Sequence, residues 1–189
     1  MRLKYLSMLT ALLVLMPAVG QAEERSLFLQ KVYMSFCLKH FDDYGALRSD
    51  LIGQGLPRLS AEQGANFLQG QGGDVWPVPY EGQFGQFVLA LPEGDRECSV
   101  MARYADLDHT EQWFSILAGT APEPLEVQQS ETVATRTPLT GPAHRHNWRW
   151  IASGAEQGLR LTLVTADDPK AAIQAWASLT LTQLKDQER

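Results

Sequence analysis

The sequence has no block of basic residues, no third cysteine and, past residue 22, no apolar run of membrane-spanning length. Each shortage excludes something. With 16 Lys and Arg against 22 Asp and Glu, the net charge is −6. That balance disfavours a nucleic-acid partner or an anionic membrane surface. No Gly-x-Ser-x-Gly elbow marks a serine hydrolase. The glycine-rich "GQGGD" follows a predicted helix and precedes a predicted strand, the reverse of a dinucleotide loop, so it reads as a turn. No cofactor is implied. Internal repeats and low-complexity tracts are also missing, which leaves one domain's length of ordinary sequence.

What is present begins with an address. Arg2 and Lys4 precede an apolar stretch from Leu6 to Met16, Pro17 breaks it, and Gly20 and Ala22 supply small residues. This is the pattern of a secretory signal, too short for a spanning helix. Cleavage is expected after Ala22, leaving residues 23–189 as a single periplasmic domain that is more acidic still without Arg2 and Lys4. In an oxidising compartment the two cysteines, Cys37 and Cys98, are most simply a disulfide. Both sit in apolar runs, which suits a structural bridge. Cys37 and His40 lie three apart on a predicted helix, but a bridge would remove the thiol that a nucleophilic pair needs. Haem attachment would need a second cysteine before the histidine.

Apolar spacing predicts a helix over Arg25–His40, with Leu27, Met34, Leu38 and Phe41 on its face. A second helix is expected in 43–55 and a third in 59–70, the latter with Ser60 as N-cap, Gln63 at the capping-box position and Gly70 as its stop. "VWPVP" is at best an edge strand, because proline cannot donate to a ladder. "FVLAL" and "CSVMARYA" form a predicted hairpin, followed by a helix capped by Asp108 with Glu111 and carrying Trp113, Ile116 and Leu117. Leu125–Thr135, Arg145–Ala152 and Leu159–Thr165 are further predicted strands. "DDPKAAIQAWASLTLTQL" reads as a terminal helix, with Asp168 as N-cap, Pro169 in the first turn and Trp176 on its apolar face. The result is an α+β domain: N-terminal helices, then an antiparallel sheet of about five strands with helices packed on one face.

The run "LIGQGLPRLSAEQGANFLQGQGGDVWPV", with "GQFVLALPEGDRECSVMARYAD" and "AAIQAWASL", resembles a family of small exported proteobacterial proteins without an assigned activity. The resemblance rests on Gly55-Leu56-Pro57, Phe67-Leu68, Val75-Trp76 and Cys98-Ser99-Val100. It implies export and a shared fold, and it brings no activity to any position.

Candidate sites concentrate in "GPAHRHNWRW". On a strand His144, His146, Trp148 and Trp150 share one face, and Arg145, Asn147, Arg149 and Ile151 the other. His144 and His146 have the spacing of two metal ligands, a third being required from His40, His109 or a carboxylate. The alternative is that both tryptophans enter the core while the histidines lie where the strand meets a loop. Arg145 and Arg149 beside Asn147 suit a carboxylate or a phosphate, or form a solvated face. Trp76 and Tyr80, stiffened by prolines, either anchor a protein or glycan partner or plug the gap between helices and sheet. The acid pairs 42–43 and 167–168 fall where helix capping explains them.

Overall fold

The computed structural model describes residues 18–183 apart from 95, 130 and 131. The basic and apolar parts of the expected signal, residues 2–16, lie outside the described residues. Helix α1 (Ala18–Val32) runs through Ala22 and passes into a π-helical segment, Tyr33–Leu38. Helices α2 (Tyr44–Gly53) and α3 (Ala61–Gly64) follow, then strands β1 (Gly73–Tyr80), β2 (Gln83–Pro92) and β3 (Glu97–Ala102). Helix α4 (Leu107–Ala118) leads to β4 (Leu125–Gln129), β5 (Val133–Thr137), β6 (Gly141–Ala152), β7 (Gln157–Ala166) and β8 (Ala175–Gln183).

The eight strands form one antiparallel sheet in the order β1-β2-β3-β8-β7-β6-β4, with β5 also pairing β6. The fold class is therefore α+β as the sequence implies, but with eight strands where about five were expected. Two differences account for most of this. The stretch Leu125–Thr135 divides into β4 and β5, which pair with the two halves of β6 in registers offset by one residue. The expected terminal helix is instead β8, near the middle of the sheet between β3 and β7. Its period is two: Ala175, Ala177 and Leu179 enter the helix-side core, while Trp176 packs on the other side. Asp168 caps a tight turn, its Oδ1 accepting from Lys170 N at 2.8 Å. β-Branched Thr180 and Thr182 then favour extension over helix.

The main core lies between α1, the π-helical segment, α2 and α4 and one face of the sheet. Helix α3 packs on the other face, its Gly64 against Val75, so the helices do not all lie on one face as expected. Leu29, Val32, Tyr33 and Cys37 supply the buried face of the first helical stretch. Of the expected face only Leu38 packs against this core, while Leu27, Met34 and Phe41 are exposed. A run with apolar residues on two faces leaves periodicity unable to choose between them, and the π-helical segment shifts the spacing further. Capping is read correctly at Ser60, where the reciprocal Ser60–Gln63 bonds are both present. At α4 the cap lies earlier than expected, with Asp106 Oδ1 accepting from His109 N at 3.0 Å. Ser26 locks α1 to that cap. Its hydroxyl accepts from Asp106 N at 2.8 Å and from the Thr110 hydroxyl at 3.0 Å.

The opposite face of the sheet carries a smaller core. Leu68, Val75, Val88, Ala90, Met101, Ala143, Val164, Ile173 and Trp176 cluster there, with Leu59, Phe67 and Leu139 packed against them. Arg48 ties α2 to this sheet, donating to Leu91 O and Pro92 O at 3.1 and 2.9 Å and pairing with Asp74. The middle of this second face is polar.

Candidate functional site

Strand β6 divides as its sequence alternation requires. Trp148 and Trp150 are buried in the helix-side core, and Trp150 Nε1 donates to Ala118 O at the end of α4 at 2.7 Å. His144 and His146 share that face at the end of the strand nearer Gly141. His144 is 55 % exposed and its Nε2 lies 3.4 Å from Asp167 Oδ1. His146 is 20 % exposed and its Nε2 lies 3.6 Å from Glu111 Oε1. The other His146 nitrogen shares a hydrogen with Thr132 Oγ1 at 3.0 Å, and Thr165 Oγ1 donates to Glu111 Oε1 at 2.7 Å. A cavity of about 250 Å³ adjoins these groups, lined by Glu111, Gln112 and Ser115 of α4 with Gln129, His146 and Trp148. The two imidazoles thus sit beside different carboxylates. Among the described residues no group of three His, Cys, Asp or Glu converges as metal ligands would, so neither His40 nor His109 completes a set with them.

The polar middle of the second face follows from strand register. Arg149 faces Arg160 across β6–β7, Arg160 faces Thr180 across β7–β8, and Thr180 faces Glu97 across β8–β3. The next row is Asn147, Thr162, Ser178 and Ser99. The third, Arg145, Val164, Trp176 and Met101, returns to apolar chemistry beyond its first member. Register partners in an antiparallel sheet project to the same side, so the first two rows form one stripe across four strands. A groove of about 200 Å³ opens over it. Arg145 and Arg160 stand at diagonal corners around the Asn147–Thr162 pair, and Gln69 lines the groove from the segment after α3.

The stripe is recessed. Ser99 and Ser178 are buried, and Glu97, Asn147, Arg149, Arg160, Thr162 and Thr180 are half-buried. Thr162 Oγ1 donates to Asn147 Oδ1 at 2.9 Å, and Ser99 Oγ to Glu97 Oε1 at 3.1 Å. Trp176 is 5 % exposed, lines the groove, and its Nε1 is buried with no hydrogen-bond partner. None of the ion pairs among the described residues involves Arg145, Arg149 or Arg160. Arg145 donates to Thr135 Oγ1 at 3.1 Å.

Comparisons with protein-family models, with curated proteins and with solved structures found no match. The site must be read from its own geometry.

Of the other expected residues, Cys37 and Cys98 form a disulfide, Cα to Cα 5.2 Å, which joins the π-helical segment to β3. Trp76 and Tyr80 are both buried on the helix side, so of the two readings the partner anchor is set aside: they plug the space between helices and sheet. Tyr80 packs with Phe28 and Phe87, ring centroids 5.0 and 5.5 Å away. Arg145 and Arg149 lie on the face expected for them. Sequence reading missed Arg160, Thr162, Trp176, Ser178 and Thr180. The signal was available in "SLTLT", whose alternation puts Ser178 and Thr180 on one side of a strand. Reading that stretch as a helix hid it.

Proposed function

We propose that the chain is an exported protein that binds a small ligand, without turning it over, in the groove on the second face of the sheet. The recessed polar stripe carries this reading. An antiparallel sheet commonly leaves one face to solvent, but a solvated face presents exposed side chains. Here the two polar rows are half-buried or buried, with Arg145 exposed at their margin, in a concavity lined by donors and acceptors. Its lining holds one carboxylate, Glu97, with no histidine or cysteine. Those groups suit holding a molecule better than transferring its protons. The leader-like residues 2–22 and the Cys37–Cys98 disulfide support export. Among the described residues no helix is long and apolar enough to cross a membrane.

The alternative is a metal-binding protein or metal-dependent enzyme built on His144 and His146. It has less in its favour, because each imidazole already neighbours a carboxylate of its own.

Native mass spectrometry of protein released from a periplasm without chelator tests both. The expected result is the mass of residues 23–189 less two hydrogens, plus a small organic ligand. Thr162→Phe, which fills the groove, should abolish the ligand mass while the circular dichroism spectrum is kept. A metal mass lost in His144→Ala would favour the alternative. A bare chain that captures nothing from a periplasmic extract would overturn the binding reading.

A further inference from the structure

Resting on the reading that the groove is a ligand site, we infer that its ligand is an oxyanion, a carboxylate or phosphate on a small polar molecule, held between Arg145 and Arg160. Three observations converge. The first is charge. In a chain of net charge −6, the groove lining holds two arginines, Arg145 and Arg160, with a single carboxylate, Glu97, and Arg149 stands beside Arg160 in the register. Glu97 already accepts from Ser99, and no ion pair among the described residues engages the guanidinium groups.

The second is register. Arg149 and Arg160 are direct cross-strand partners. Like charges in that position repel, and no ion pair among the described residues engages either arginine. An anion over the stripe would do so, because a guanidinium fork matches a planar carboxylate or a phosphate edge with paired N–H donors.

The third is Trp176. It lines the groove, its ring is packed into the smaller core, and its Nε1–H is buried without a hydrogen-bond partner. An indole can only donate, and an unpaired buried donor is costly. A ligand atom that reached it from the groove would have to be an acceptor. Arg145, Arg160 and the hydroxyls of Ser178 and Thr180 give the lining donors for an oxyanion, beyond the Thr162 hydroxyl that is already spent on Asn147.

The volume sets the scale. Pockets for drug-sized ligands run from about 300 to 1,000 Å³, and this one is about 200 Å³. It fits an acid headgroup with a few attached atoms.

Calorimetric titration at low ionic strength with sodium phosphate and, separately, sodium succinate is the test. At least one anion should bind with a millimolar or lower Kd. Arg160→Gln should weaken it at least tenfold, and Trp176→Phe, which keeps the ring and removes the donor, severalfold. Arg58→Gln lies outside the groove and changes net charge by the same amount as Arg160→Gln, so it should leave the affinity within twofold. Binding of succinate alone assigns a carboxylate source, and binding of phosphate alone a phosphate source. Equal weakening by Arg58→Gln and Arg160→Gln would overturn the inference, since it would reflect overall charge. A neutral molecule found on the isolated protein and lost in Thr162→Phe, with neither anion binding, would overturn the oxyanion while sparing the binding site. No bound molecule and no titration would remove both.

Discussion

Arg149 on β6 and Arg160 on β7 stand directly opposite each other across the ladder, two positive side chains on the same side of the sheet. Like charges so placed are destabilising. Arg160→Thr should therefore raise the urea unfolding midpoint of the ligand-free protein, and Arg149→Thr should do the same. The double variant should gain less than the two gains added, because either substitution alone removes the repulsion. A drop in midpoint for both singles would show that the guanidinium stems matter more for packing than their charges do for repulsion.

The disulfide ties helices to sheet across 61 residues of chain. On the chain-entropy account, closing such a loop is worth about 4 kcal/mol. Cys37→Ala with Cys98→Ala, or reduction of the native bridge, should lower the unfolding free energy by an amount of that order. Guanidinium denaturation with and without reductant measures it. The reduced form should lose protection first in the π-helical segment and β3 when followed by hydrogen exchange.

Ser26 holds the amide of Asp106 at the start of α4. Ser26→Ala leaves that part-buried donor without its acceptor, at a cost of about 1 kcal/mol or more. Ser26→Thr, which keeps the hydroxyl, should recover part of the loss. Thermal unfolding of the two variants side by side separates the hydrogen bond from crowding by the added methyl.

Two phenols make the fold sensitive to alkali. Burial pushes the Tyr33 hydroxyl well above its ordinary range, with Tyr44 adding to the shift. Burial likewise raises Tyr44, helped by Glu97 and Asp42. Tyr33 donates to Ser178 O at 3.3 Å and Tyr44 to Cys37 O at 3.0 Å. Both groups favour the neutral form when folded, so their contribution is complete below the unfolded tyrosine pKa of about 10. It falls as pH rises through and beyond that value. Stability should decline from about pH 10 upward, and Tyr44→Phe should flatten the decline while lowering stability at pH 7 by about 1 kcal/mol. An unchanged alkaline slope in Tyr44→Phe and Tyr33→Phe would assign the decline to other groups.

Local signals carried the helices and the antiparallel character of the sheet. Ser60 with Gln63, Asp43 before α2 and the prolines of β1 each act within a few residues, so their meaning survives without the fold. The two faces of β6 were legible for the same reason, since alternation is a property of one strand. β8 was not. Asp168 and Pro169 imitate a helix start, and alanines at 171, 172, 175 and 177 reinforce it, whereas the sheet position that decides the matter comes from pairing with β3 and β7 far away in sequence. The groove inherits that failure. It needs Arg145 from one strand, Arg160 from a second and Trp176 from a third, and register between strands is written in none of them alone.

An open sheet ends in two unsatisfied rims, each a template on which a further strand could polymerise. At one rim β1 offers Pro77 and Pro79, which have no N–H to extend a ladder. At the other, β4 and β5 are five residues each, and their registers on β6 disagree by one. A newcomer aligned with the first stretch meets the second out of phase. The break that divided one expected strand into two thus discourages fibre growth at that rim, where the molecule would otherwise present its longest uninterrupted hydrogen-bonding edge.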